Sequence, residues 1–113
     1  MTEPVDLTNL RSMTDGDAEL EKSLFEEFFL SFEKELVGLE HSTGEDSVPS
    51  WHARSHALKG ISLNLGAQKL GELCKTAQDE ENAPAAFKSD LLKKITDEYA
   101  VVKRFLQDII AKS

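Results

Sequence analysis

The sequence predicts an all-α protein: an antiparallel up-down four-helix bundle with a short additional N-terminal helix. Apolar residues recur at three- and four-residue spacing through four long segments, and no segment shows the two-residue alternation of a strand. Three short polar connections separate these segments, and short connections make consecutive helices antiparallel neighbours. We expect residues 1–113 to form a single domain, because this length supports one hydrophobic core.

The first two helices are predicted from capping residues and apolar stripes. Residues 5–13 are expected to form the short helix, with Thr8 as its N-cap. The turn at residues 14–17 is rich in capping residues, and we expect a long helix from there to about His41. Its apolar stripe predicts a core face rather than a ligand site. The stripe consists of Leu20, Leu24, Phe25, Phe28, Phe32, Leu36 and Leu39.

The other three helices are delimited by proline and glycine. Pro49 and Pro84 close the two polar linkers, and each suits the start of a helix. Gly66 is a typical helix terminator between two amphipathic runs. We therefore expect helices at residues 50–65, 67–79 and 85–111.

Composition and charge restrict the possible functions. The net charge of −8 argues against nucleic-acid binding, which requires a basic face. No apolar run approaches the roughly 18 residues of a membrane span, and residues 1–4 lack the start of a signal peptide, so we expect a cytoplasmic protein with no membrane partner. Because Cys74 is the only cysteine, neither an internal disulfide nor a Cys-based metal cluster is expected.

Residues 51–75 form a basic stretch in this acidic chain. They carry four cations against Glu72 alone, a local charge of +3. A positive region of this kind would attract a partner with an acidic pocket. The alternative is that the charges of one segment are basic by chance.

His56 is expected to point into solvent from the third long helix. With about 100° of rotation per residue, the apolar side chains fall on the opposite side of the rod. That side comprises Trp51, Leu58, Ile61 and Leu65, whereas His52, His56, Lys59, Gly60 and Leu63 share the exposed side. A glycine in mid-helix costs roughly 1 kcal/mol relative to alanine. We interpret Gly60, one turn after His56, as clearance for another surface that approaches the ring.

Gln78 on the following helix is expected to lie level with His56. His56 precedes Gly66 by ten residues, about 15 Å of helix, and Gln78 follows it by twelve residues, about 18 Å. An amide in this place could bond one imidazole nitrogen and leave the other free.

These residues resemble the signature of histidine-containing phosphotransfer (HPt) domains of two-component phosphorelays. The matching residues are Ser55-His56-Ala57-Leu58-Lys59-Gly60, then Asn64-Leu65-Gly66, Glu72-Leu73-Cys74 and Gln78. The resemblance implies that His56 accepts a phosphoryl group from a receiver-domain aspartate and passes it to another receiver. Lys59, Gly60 and Gln78 match the family's lysine, glycine and glutamine. One departure is Ile61, where family members often have a small residue.

The family resemblance also implies a docking surface around the histidine. In the family the short first helix contributes apolar contacts to the receiver, which makes Leu10 and Met13 candidates here. Core packing is the alternative explanation for both residues. His52 and Leu63 border the same surface on the exposed side of the motif helix.

The roles that this chemistry requires divide between the chain and its partner. Lys59 offers an ammonium group that suits a phosphate oxygen, whereas Glu72 is the only carboxylate between Trp51 and Gln78, too few for Mg²⁺. No glycine-rich loop is present to bind ATP. We therefore expect a phosphocarrier rather than an autokinase, with no cofactor of its own and Mg²⁺ supplied by the receiver. Its expected partners are response-regulator receivers and an upstream histidine kinase or hybrid kinase, and it is expected to be a monomer.

Two other interpretations remain open from the residues themselves. His52 and His56 have a spacing that can hold a metal ion, but two histidine ligands are too few for a structural zinc site. A helical bundle with this pattern could also bind its partner without carrying phosphate. Phosphate on His56 would distinguish the carrier from such an interaction module.

Overall fold

The computed structural model describes residues 3–112, and within them the chain is helical with no strand. The helices are α1 (Thr8–Thr14), α2 (Ala18–Glu40), α3 (Val48–Leu65), α4 (Gln68–Asp79) and α5 (Ala85–Lys112), with a single 3-10 turn at Glu45–Ser47 before α3. The four long helices pack in succession, and α5 returns against α2 to close the bundle. The predicted four-helix bundle with a short N-terminal helix is confirmed.

The α1 helix begins at Thr8, three residues later than the sequence predicted. The reason is Asp6, whose Oδ1 accepts hydrogen bonds from the backbone N–H and the hydroxyl of Thr8 at 3.0 and 2.6 Å. The expectation that Thr8 caps the helix was therefore wrong, because Asp6 supplies the acceptor. In the segment before α1, Val5 and Leu7 are buried in the core.

A backbone contact anchors this N-terminal segment on the turn between α3 and α4. The N–H of Asp6 donates to the carbonyl of Gly66 at 2.9 Å. Gly66 has a φ of 104°, and a Cβ at this position would lie 2.0 Å from the Asp6 carbonyl oxygen. Glycine is required here both by the left-handed backbone and by the close approach of the segment.

The α2 helix contributes an aromatic face to the core. Asp17 caps its start by accepting a hydrogen bond from the N–H of Leu20 at 3.1 Å. The buried part of the stripe begins at Phe25 and comprises Phe25, Phe28, Phe32, Leu36 and Leu39. Leu20 and Leu24, expected on the same stripe, are exposed because the first turns of α2 extend past the core.

The α5 helix closes the core against α2. The ring of Tyr99 stacks on that of Phe32 with centroids 4.3 Å apart. The Tyr99 hydroxyl donates to Glu33 at 2.5 Å, and the ammonium of Lys103 donates to the same carboxylate oxygen at 2.7 Å. Phe87 is exposed near the start of the helix.

No helix within residues 3–112 is long and apolar enough to cross a membrane.

Candidate functional site

His56 lies on the exposed face of α3. Its ring forms no hydrogen bond and no ion pair with any described residue. The side chains of Ser55 and Leu58 are fully buried, and together they hold α3 with position 56 turned to solvent. The His56 side chain is therefore accessible to an approaching group.

The ring of His56 stands among small residues. On its α2 side the exposed face of α3 carries Ala53, Ala57 and Gly60, as the helical rotation from His56 shows. A Cβ added to Gly60 would meet no atom within 4 Å. No contact inside the described chain therefore requires glycine at position 60, and its helix-propensity cost of roughly 1 kcal/mol has no internal compensation. The sequence analysis identified Gly60 but missed Ala53 and Ala57, although the same rotation places all three together.

In the folded protein most of the positive charges of residues 51–75 are paired with acidic residues from other parts of the chain. Three of its four cations form ion pairs with acidic residues: Arg54 with Glu35 at 2.9 Å, Lys69 with Glu98 at 3.5 Å and Lys75 with Asp79 at 2.8 Å. Lys59 forms no ion pair with any residue between 3 and 112. The expected positive region thus reduces to one half-buried lysine, one turn beyond His56.

The α3 and α4 helices pack closely enough to fix their register. A Cβ on the buried Gly71 would lie 2.4 Å from Cδ2 of Leu63, so glycine allows Leu63 to cross α4 at this level. His56 lies seven residues before Leu63 on α3, and Gln78 lies seven residues after Gly71 on α4. Because antiparallel helices rise equally per residue, His56 is expected to lie opposite Gln78.

The Gln78 side chain does not hydrogen-bond His56 in this structure. Its Oε1 atom is buried and accepts no hydrogen bond from any described residue. A buried acceptor without a donor is rare and costs about 1–3 kcal/mol. The amide oxygen of Gln78 therefore keeps an unused acceptor position.

A network at the first turns of α3 joins this helix to α4 and α5. Trp51 is fully buried, and its indole N–H donates to the carbonyl of Ala77 at 2.7 Å. The buried ammonium of Lys88 lies 5.0 Å from the centre of the Trp51 ring and donates to the carbonyl of Glu81 at 2.6 Å. The Glu81 carboxylate in turn contacts His52. The sequence around the motif did not predict these partners on α5 and in the loop before it.

The predicted docking residues divide between surface and core. His52, Leu63 and Met13 are exposed, Met13 to 70%. Leu10 is only 4% exposed. Of the two interpretations left open for Leu10, its burial favours core packing, and its role in docking stays a prediction.

A groove of about 350 Å³ lies between α1, α2 and α3 next to the histidine face. Its lining is mostly apolar and comprises Leu10, Met13, Leu24, Glu27, Phe28, Ser31, Ile61, Asn64 and Leu65. Ile61, expected in the core, is half-buried and lines this groove. Leu24, expected on the core stripe, and Asn64, part of the family signature, also line this groove, a position that depends on neighbours from other helices.

Cys74 and the titratable groups around it do not form a metal site. Within residues 3–112 no three His, Cys, Asp or Glu side chains cluster in a way that could hold a metal ion. Burial raises the pKa of the Cys74 thiol to about 12, although a hydrogen bond with Ser62 opposes this change. Cys74 therefore remains a protonated thiol in the core at neutral pH.

A family model described as the Hpt domain matches residues 23–109 of the chain. The match covers α3 and α4 entirely and leaves α1 outside. Because it spans well over half of the chain, this protein belongs to the Hpt domain family, the histidine phosphotransfer modules of two-component phosphorelays. Hpt domains are phosphocarrier modules that interact with response-regulator receivers and kinases. No curated protein and no solved structure matches the chain.

Proposed function

We propose that this chain is a phosphorelay intermediate that carries the phosphoryl group on His56. The group arrives from the phospho-aspartate of one receiver domain and leaves to the aspartate of another. The observation that carries this proposal is an exposed imidazole without a partner, beside the open space at Gly60. Residues 1–113 would act as one domain and as a monomer in the cytoplasm, downstream of a histidine kinase or hybrid kinase.

The transfer is an in-line displacement at phosphorus. The lone pair of His56 Nε2 attacks, the N–P bond forms as the P–O bond to aspartate breaks, and the aspartate leaves as a carboxylate. The Nδ1 proton stays on the ring, and onward transfer reverses these changes with a second aspartate. No net proton release is required.

Two neighbours support this chemistry. The buried Oε1 of Gln78 has an unused acceptor position, and we propose that it accepts the Nδ1–H of His56 when the protein is phosphorylated. This bond would select Nε2 as the nucleophile. Lys59, without an ion-pair partner in the described chain, would place its ammonium against a phosphoryl oxygen.

The receiver would supply the remaining catalytic groups. The chain has no glycine-rich phosphate loop, and Glu72 is the only carboxylate between Trp51 and Gln78. Mg²⁺ binds carboxylates together with substrate phosphates, so it would come with the acidic receiver site. On this basis we propose that the chain has no ATP-dependent autokinase activity.

The groove beside the histidine would hold an apolar surface of the receiver. Met13, Leu24 and Ile61 supply exposed or half-buried apolar area, and Glu27 is the only charged residue in the lining. Apolar contact of this kind gives affinity, and the small residues around His56 let the partner aspartate reach the ring.

Incubation with a phosphorylated receiver and Mg²⁺ tests the proposal. We expect acid-labile, base-stable phosphate on the chain, its position assigned to His56 by mass spectrometry. His56→Gln should abolish labelling with an unchanged circular dichroism spectrum, because the ring is exposed. His41→Gln is the matched control and should label normally. Stable receiver binding without any label would instead identify an interaction module.

A further inference from the structure

His52 shares the exposed face of α3 with His56, one turn closer to the start of the helix. Side chains at i and i+4 of a helix are neighbours, about 5–6 Å apart at Cβ. Because side chains lean toward the helix N-terminus, the His56 ring leans toward His52. His52 is therefore the ring neighbour on one side of His56, as Lys59 is on the other.

The His52 ring is held by a carboxylate from another part of the chain. Its Nδ1 lies 2.5 Å from Oε2 of Glu81, in the loop between α4 and α5. The backbone of Glu81 is fixed in turn, because its carbonyl accepts the hydrogen bond of the buried Lys88 ammonium. With Nδ1 committed to Glu81, Nε2 is the nitrogen of His52 that can reach another group.

We propose that protonated His52 is a phosphate ligand of the phosphorylated protein: it donates from Nε2 to an oxygen of the phosphoryl group on His56, while Glu81 holds its Nδ1–H. This inference rests on the proposed function only in that His56 carries the phosphoryl group. His52 acts as a positioning residue for the group and forms no bond to phosphorus.

The charged groups around His52 leave it free for this role. On α3 itself, Arg54 is paired with Glu35 of α2. On α4, Lys75 and Asp79 pair with each other. Glu45 and Asp46 precede α3, and neither forms an ion pair with any described residue. Lys88 of α5 is directed at a backbone carbonyl. The Glu81 carboxylate is thus the one ionic partner of His52 in the described chain.

The expected consequence is a longer lifetime of the phosphohistidine. In the loose transition state of phosphoryl loss, negative charge leaves the phosphoryl oxygens for the departing nitrogen. A cation on these oxygens therefore stabilises the ground state more than the transition state. An exposed charge pair of this type should change the rate of loss about threefold to fivefold.

The test labels His56 with phosphoramidate, a small phosphoryl donor that requires no receiver. Loss of the label is then followed by ³¹P NMR between pH 6 and 9. We expect His52→Gln to lose phosphate about threefold to fivefold faster than wild type near pH 6. The two proteins should converge as His52 loses its proton. His52→Lys, which stays charged, should keep the long lifetime across the range.

A second measurement follows the ring protons of His52 directly. If protonated His52 binds the phosphoryl group, reciprocity requires phosphorylation to move the NMR titration curve of His52 to higher pH. The same curve in His56→Gln treated with phosphoramidate should not move.

Equal lifetimes in wild type and His52→Gln, or an unmoved titration curve, would overturn the inference while leaving transfer from receivers intact. A different result would count against the proposed function alone: receivers fail to label His56, while phosphoramidate still labels it and the lifetime of the label still depends on His52.

Discussion

Replacement of Gly60 should stabilise the fold and impair transfer at the same time. Gly60 lies inside α3, and a Cβ there would meet nothing within 4 Å. Gly60→Ala therefore gains helix propensity without a clash, which should raise the free energy of unfolding by about 0.5–1 kcal/mol. For a domain of this size the corresponding rise in Tm is about 2–4 °C.

Thermal and urea unfolding followed by circular dichroism measure the stability. Transfer is measured as the rate of label movement from a phosphorylated receiver to Gly60→Ala and Gly60→Gln. The glutamine is also a good helix former, so Gly60→Gln should be no less stable than wild type. Its side chain would occupy the clearance beside His56, and we expect at least about a tenfold slower transfer, equivalent to a loss of roughly 1.4 kcal/mol.

Gly66→Ala is the matched control for glycine replacement. Its Cβ would lie 2.0 Å from the Asp6 carbonyl oxygen, and its backbone has a φ of 104°. This variant should be destabilised, by about 1–3 kcal/mol. A destabilised Gly60→Ala would contradict the open environment of Gly60. Wild-type transfer by Gly60→Gln would refute the view that Gly60 clears space for a partner.

Three further predictions concern groups away from the histidine. Cys74, buried and with its pKa raised to about 12 by burial, should react with a thiol reagent only at the rate of global unfolding, measured against urea concentration. Hydrogen bonds, first from Lys103, hold the pKa of Glu33 below its ordinary value of 4.5. Stabilisation by Glu33 should thus be present above pH 4.5 and lost as pH falls through the lowered value, so urea midpoints of wild type and Glu33→Gln should converge in acid. Trp51→Phe removes the N–H that donates to the Ala77 carbonyl and should cost about 1–3 kcal/mol in chemical unfolding; an unchanged midpoint would show that this buried bond contributes nothing.

The family and the central residue of the site follow from local sequence patterns. Helical periodicity depends only on residues three and four apart, so the exposure of His56 and the burial of Trp51 and Leu58 could be predicted without tertiary information. The level of Gln78 relative to His56 likewise depends only on the rise per residue and the position of Gly66.

The tertiary structure decided which of these side chains have partners. Leu10 is buried, and the segment before it is anchored by the hydrogen bond between Asp6 and Gly66. These two residues are sixty positions apart in the sequence, so helical periodicity does not predict their contact. The basic stretch loses most of its charge to acids on α2, α4 and α5, which leaves Lys59 without an ion pair among residues 3–112.

The surroundings of His52 and Gln78 show the same division. Their positions on α3 and α4 follow from the chain. The carboxylate on His52 comes from the loop before α5, and the empty acceptor of Gln78 is visible only in the folded protein. Helix faces are determined by short-range geometry and can therefore be predicted from the sequence. Hydrogen bonds and ion pairs depend on side chains brought together from distant segments, and only the folded arrangement specifies them.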